Sequence, residues 1–340
     1  MRDLRSSYSW SPVRWLLVGV LLLAAVLRYA VLPDFPRGIE HDEVAEVLIA
    51  EGILRGEHAL YFTEAYGQEP LFLYLVALSR ALMGRNVLAL RFVSASVGLL
   101  TVAACARLGW RLFGERVALM AAAGTAVTLW ALFWSRVGLR AMLLPLTMAM
   151  GVEALWAVLR GAQPRRHAGL AGFWFGASAY TYLAARGVPL VLGATLVLLA
   201  LFDHRRLRRQ WQWIAIVLIL ASLIAAPLVL HLLGNKTIQT RVYEVDAPLR
   251  ALLAGDLGPV LANVPRVLGM FNVRGDATVR NNVPGRPVFA GPLWSLLFVV
   301  GLGLTLARFD DPRCGLLCVW LITMLSPSIV TIEAPNFVRM

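Results

Sequence analysis

The feature that most constrains this chain is a succession of long apolar runs, at about residues 15–32, 88–106, 117–134, 142–159, 168–183, 187–202, 212–232, 290–307 and 314–331. A helix rises about 1.5 Å per residue, so such runs match the roughly 30 Å hydrocarbon core of a bilayer. The composition agrees. Of 340 residues 59% are hydrophobic and 15% charged, whereas a soluble domain is nearer about 45–50% and 25%. No small-residue cleavage site follows the first run, which continues into Pro33 and an acidic loop, so it reads as a span and not a signal peptide. The expectation is an all-α polytopic membrane protein with about nine transmembrane helices and one domain over 1–340, without linkers or repeats. The chain leaves its last span and stops at "SPSIVTIEAPNFVRM" without a polar tail, which reads as a C-terminal truncation.

Arginine placement orients the bundle. One set of short loops holds Arg2, Arg5 and Arg14; Arg107, Arg111 and Arg116; Arg160, Arg165 and Arg166; Arg205, Arg206, Arg208 and Arg209; Arg308 and Arg313. The opposite short loops hold Arg136, Arg140 and Arg186. The positive-inside rule then puts the N-terminus in the cytoplasm and the long loops 33–87 and 233–289 outside. The net charge of +12 is thereby a topology signal, with no nucleic-acid partner implied. Cys105, Cys314 and Cys318 fall in spans and read as buried thiols.

The acids are distributed very differently. Nine of the twenty lie between Asp34 and Glu69, and Glu153 is the only one well inside a span. Ion-coupled transporters place charge or broken helices near the midplane, so the distribution argues for chemistry at the outer face. The stretch "GIEHDEVAEVLIAEGILRG", 38–56, puts Val44, Val47 and Leu48 on one helical face and Asp42, Glu43 and Glu46 toward the polar side. That predicts an amphipathic helix lying on the membrane surface. Asp42 has two readings here, as the N-cap of that helix or as a functional acid.

Other outer-face residues complete the candidate set. Arg136 and Arg140, one helical turn apart in "FWSRVGLRAMLLPL", have the spacing to grip a phosphate, or else snorkel to lipid. Arg186 and Tyr182 follow in "SAYTYLAARGVPL", Glu69 sits at a turn in "YFTEAYGQEPLFLYL", and "VRGDATVRNNVPGRPVF" offers Arg280, Asn282 and Arg286. A divalent metal is an option, with His41, Asp42 and Glu43 as its ligands and His58 and Glu69 in the same loop, although no spacing is diagnostic of zinc.

The ordered set "HDE", "GQEPLFLYL", "ALRFVSASVGLLTV", "RLFGERVALMAA", "FWSRVGLRAMLLPL", "AYTYLAAR" and "NNVPGRPVF" resembles the bacterial branch of the protein O-mannosyltransferase and lipid A aminoarabinose transferase group, the family-39-like glycosyltransferases of the GT-C fold. The resemblance runs from about residue 15 to the end. It departs where better-known members have Pro-Pro and this chain has Glu69-Pro70, and those members continue well beyond position 340.

The resemblance implies a bacterial inner-membrane enzyme that moves a sugar from a polyprenyl-phosphate donor to a hydroxyl or amine of a protein, lipid or glycan acceptor at the outer face. It also implies Asp42, of the Asp42-Glu43 pair, as the acceptor-activating base. An oxocarbenium-like transition state needs a carboxylate on one side and cations for the leaving phosphate on the other, and one displacement inverts the anomeric centre. The competing class is a flippase for lipid-linked sugars, which would use the arginines and aromatics without needing Asp42.

Overall fold

The computed structural model describes residues 11–238, 244–279 and 281–337. Among these, fourteen α-helices are joined by short 3-10 turns, and the one β-bridge pairs Phe62 with Gln68. Six helical stretches are long and apolar enough to cross a membrane. They are α1 (Pro12–Tyr29), α4 (Val87–Phe113), Arg140–Leu159 ending in α7 (Leu143–Leu159), Leu183–Phe202 ending in α9 (Val188–Phe202), α10 (His204–Gly234) and α14 (Pro312–Ile329). The protein is a multi-pass, all-helical membrane protein.

The expected count of nine is reduced. The run 117–134 is two helices, α5 (Glu115–Val127) and α6 (Leu129–Arg136), bent by 59° at Thr128, which gives up to seven spans. The runs 168–183 and 290–307 form only α8 (Pro164–Ser178) and α13 (Pro292–Ala307), of 15 and 16 residues. α8 ends early because hydroxyls compete for its last carbonyls: Ser178 Oγ donates to Phe175 O and Thr181 Oγ1 to Ser178 O. The first long loop contains α2 (His41–Leu54) and a second, apolar helix, α3 (Leu71–Met83), whose Phe72, Leu73 and Val76 are wholly buried. The other long loop holds α11 (Ala247–Leu253) and α12 (Gly258–Gly269).

Local sequence sets the starts of the long helices. Asn86 caps α4 by accepting from Ala89 N at 2.7 Å, Asp203 caps α10 at Arg206 N, and Asp311 caps α14 at Arg313 N. Small residues set the close crossings. Gly172 and Gly176, four apart on α8, face α10 so tightly that a Cβ at either would lie 2.6 Å from Leu220 Cβ or Ile224 Cβ. Between apolar helices in lipid, such close backbone approach supplies the dispersion contacts that association depends on.

The bend at Thr128 frees carbonyls that a lipid environment cannot satisfy. Arg28, fully buried on α1, supplies the donors, reaching Ala126 O at 3.3 Å and Thr125 O at 3.2 Å. Arg136 returns the favour at the end of α1: its Nη1 donates to Leu27 O at 2.6 Å, and its Nη2 to Ala30 O at 2.8 Å and Phe35 O at 2.9 Å. Two guanidiniums therefore cap each other's broken helices and fix where the first loop leaves the bundle.

Candidate active site

The first loop is held by a buried ion pair. Arg91 of α4 meets Glu43 of α2 with Nε–Oε1 at 3.0 Å and Nη2–Oε2 at 3.2 Å, and the two side chains are 1% and 0% exposed. The same guanidinium donates to Pro36 O at 2.8 Å and Gly38 O at 2.6 Å. Glu43 also accepts from Gly138 N at 2.9 Å and Glu40 N at 3.0 Å. Every lone-pair direction that matters is used, which is the condition for a buried charge pair to persist.

This corrects three expectations. Glu43 is an anchor between α2, α4 and the 136–140 turn and does not line the cavity described below. Glu40, not Asp42, is the N-cap of α2, so capping does not account for Asp42. The acids expected on the polar side are not turned to water. Glu43 and Glu46 are 0% exposed, while Val44 and Leu48 are 43% and 63% exposed, so the acids face the protein and the valine–leucine edge faces out. Residues three apart share a helix face, and buried arginines on the neighbouring elements, Arg91 and Arg140, make that face the inner one.

Next to the anchor lies a cavity of about 360 Å³, lined among others by Asp42, Glu46, Tyr61, Glu69, Arg140 and Tyr182. Asp42 stands on its rim, 50% exposed, with His41 Nδ1 3.6 Å from its carboxylate. Glu46, which sequence reasoning left on the polar face without a role, forms the wall. Its Oε1 accepts from Arg140 N at 3.1 Å and lies 3.5 Å from Arg140 Nη1. Burial pushes its carboxyl up to about 8, against the pull of Arg140. Glu69, 3% exposed, brings Oε2 to 3.5 Å from Arg140 Nε. Burial, with Glu69 nearby, also raises the Tyr61 hydroxyl above the usual phenol range.

Arg140 is thus held between two carboxylates and over the Tyr182 ring at 5.5 Å. Arg136 is spent on carbonyls of the α1 end, so the pair expected to grip phosphate does not converge on one ligand. Arg186 is placed differently. It is exposed at the edge of a second, largely apolar cavity of about 540 Å³ between α8, α9 and α10, which shares Glu69 and Tyr182 with the first. Leu192, Leu196, Leu218 and Leu228 also line it.

The second long loop contributes a neighbour of the expected residues. Asn282 donates to Asp276 O and Arg286 O and so braces its own turn, and the Arg286 side chain is exposed away from the cavity. Arg280 lies outside the described residues. Asn281 reaches the cavity instead, held by its Nδ2 at 2.9 Å from Asp276 Oδ2, which also accepts from Phe337 N. Glu244 and Asn336 line the same cavity. A metal set of His41, Asp42 and Glu43 does not form, because Glu43 points into the anchor. Among the described residues no three His, Cys, Asp or Glu side chains converge on a metal-sized point. Cys105, Cys314 and Cys318 are free thiols.

Comparison with known proteins follows the same lines. Residues 67–231 match the family model of dolichyl-phosphate-mannose-protein mannosyltransferase, which bears out the resemblance read from the sequence over that stretch. The fold matches crystal structures of ArnT from Cupriavidus metallidurans. The undecaprenyl phosphate complex superposes with a TM-score of 0.64 at 17% identity over 97% of this chain and 58% of that one. The apo state gives 0.66 at 16%, over 96% and 56%. The Archaeoglobus fulgidus oligosaccharyltransferase, in complex with Zn and sulfate, gives 0.64 at 17%, over 95% and 47%. The chain therefore has the GT-C membrane fold and spans about half the length of the solved proteins it matches. No curated protein sequence matches it.

Proposed function

We propose that this protein is a glycosyltransferase that moves a sugar from a polyprenyl-phosphate donor to an acceptor hydroxyl or amine, with inversion at the anomeric carbon. The observation that carries this reading is the junction of two cavities. An acid-walled one of about 360 Å³ shares Glu69 and Tyr182 with an apolar one of about 540 Å³, which the exposed Arg186 also lines. A sugar, a phosphate and an isoprenoid tail, in that order, have this sequence of polarities. The family match over 67–231 supports the donor class, as does the undecaprenyl phosphate in the ArnT complex.

In this reading the acceptor oxygen attacks the anomeric carbon as the bond from that carbon to the phosphate oxygen breaks. Asp42 takes the acceptor's proton, and the electron pair of the broken bond leaves with polyprenyl phosphate, where Arg186 meets the growing charge. Half exposure suits Asp42 to this task, because an incoming acceptor can reach its carboxylate. Tyr182 and Glu69 line both cavities, Arg140 lines the acid-walled one, and Glu46 and Glu69 form the polar wall against the sugar. No step is routed through a metal, since the candidate ligands do not converge. The acceptor is a protein, lipid or glycan.

We place the acid-walled cavity on the outer face of the bacterial inner membrane and the N-terminus in the cytoplasm. All its lining elements lie at one end of the bundle, and the arginine-rich short loops lie at the other. Labelling from outside intact cells of a cysteine placed at Glu57 checks the orientation. The activity itself is tested by supplying membranes with polyprenyl-phosphate sugars labelled in the sugar. Transfer yields a labelled glycoside chemically distinct from the donor, whether on protein, lipid or glycan, whereas a flippase moves the label across the bilayer and makes no new glycoside.

A further inference from the structure

The acid inside the bundle, Glu153, has no part in the reading above, and its surroundings point to a second site at the far end of the molecule. Glu153 Oε1 is approached by Arg111 Nε at 2.6 Å and Arg107 Nε at 3.1 Å, with the carboxylate side chain 3% exposed. Arg107 lies sixteen residues beyond Arg91 on α4, about 24 Å further along the helix axis and away from the active-site cavity. A cavity of about 270 Å³ opens here, lined by Arg107, Arg111, Gln163, Arg166, His167 and Leu170.

His167, 6% exposed, closes its back. Its Nδ1–H donates to Ala162 O at 2.7 Å, and its Nε2 faces Arg111 Nη2 at 3.4 Å. Three guanidiniums and one carboxylate therefore line or back this space, an excess of two positive charges.

The start of α8 raises the positive potential further. Gln163, with φ 41°, offers no side-chain cap, the first turn contains no acid, and Arg165, Arg166 and His167 stand in it. Cations at a helix N-terminus oppose the macrodipole, so this arrangement is unfavourable until an anion faces it. The lip of the cavity identifies which anion. Arg166, Leu170 and Phe173 follow one another at four and three residues along α8, on one face, and Leu170 and Phe173 are 37% and 50% exposed. A basic cavity that continues into an exposed apolar stripe matches a charged headgroup with its acyl chains.

We propose that this cavity is a binding site for the phosphate of an anionic phospholipid, gripped by Arg107, Arg111 and Arg166 at the arginine-rich end of the bundle, with the acyl chains along Leu170 and Phe173. Paired guanidiniums suit phosphate oxygens, and basic pockets between membrane helices are suited to such headgroups. Glu153 keeps Arg107 and Arg111 side by side in the absence of lipid, so it is a positioning residue.

The test uses the full chain, purified and reconstituted with phosphatidylcholine alone or with added phosphatidylglycerol, and bound lipid is counted by native mass spectrometry. The wild type should retain phosphatidylglycerol in preference to phosphatidylcholine. In Arg107→Ala/Arg166→Ala, which leaves the Arg111–Glu153 pair intact, phosphatidylglycerol should bind about tenfold more weakly or less, with the thermal midpoint little changed. Arg166→Lys should retain part of the preference. Equal retention of the two lipids by the wild type overturns the proposal, as does an undiminished preference in the folded double variant. Displacement of phosphatidylglycerol by millimolar inorganic phosphate would assign the cavity to a soluble anion and overturn the lipid assignment.

Discussion

Glu43 and Glu46 sit three residues apart on the same face of α2, both fully buried and both beside an arginine, and they do different things. Glu43 is saturated: Arg91 and two backbone N–H groups use both of its oxygens. Glu46 is under-supplied. Its Oε1 meets Arg140, but its Oε2 has no partner among the described residues, and the same holds for Gln68 Oε1 in the same cavity wall. A buried acceptor left without a donor costs about 1–3 kcal/mol, so this wall calls for donors from water or a bound ligand. The saturated region is architecture and the under-supplied one is a site.

The largest effect expected from this contrast is at the rim of the site. Asp42→Asn keeps the shape of the side chain but cannot take a proton, so transfer should fall about 10²–10⁴-fold, with thermal stability unchanged because Asp42 caps nothing. Near-normal turnover would remove Asp42 from the chemistry. Next comes the anchor. Glu43→Gln leaves Arg91 charged and buried without its counter-ion, at a cost of about 3–5 kcal/mol. The result should be a much lower unfolding temperature, with the remaining folded protein still active. An inactive but fully stable Glu43→Gln protein would break the comparison, because Glu43 would then be doing chemistry.

Smaller changes sharpen it. Arg186→Ala should raise KM for the polyprenyl-phosphate donor about tenfold, by loss of a charge-assisted hydrogen bond, and leave stability intact. An unchanged KM would show that Arg186 only snorkels. The mildest test concerns Glu46. Its carboxyl is raised from 4.5 to about 8 in the fold, chiefly by burial. A raised carboxyl binds its proton more tightly folded than unfolded, so its contribution is complete below pH 4.5 and is lost as pH rises through about 8. The unfolding temperature should decline over that window in the wild type and decline less in Glu46→Gln, whose amide has no proton to lose. Equal slopes would place Glu46 among ordinary ionised acids.

Several parts of this picture were legible in the sequence. The membrane class, the succession of apolar helices and the accumulation of acids in the first loop all follow from local pattern, because hydrophobic length is a property of the segment itself. Asp42, Glu69, Arg140 and Tyr182, which the structure brings to one cavity, stood out because acids concentrate in the first long loop and arginines are few on the short outer loops, with Tyr182 beside one of them. The misplacements share one cause. Arg136 and Glu43 have the same residue types and nearly the same positions as their working neighbours, and only their partners, 48–109 residues away in sequence, decide that they are structural.

The sequence by itself determined that the chain is a helical membrane protein with an acidic first loop, since burial in lipid requires apolar length and self-satisfied backbone whatever the tertiary arrangement. Only the tertiary structure decided which way α2 faces, which runs are broken or too short to span, and which charges are consumed. Those outcomes depend on where donors from distant helices arrive. Arg91 and Arg140 reach the face of α2 that its own periodicity assigned to water.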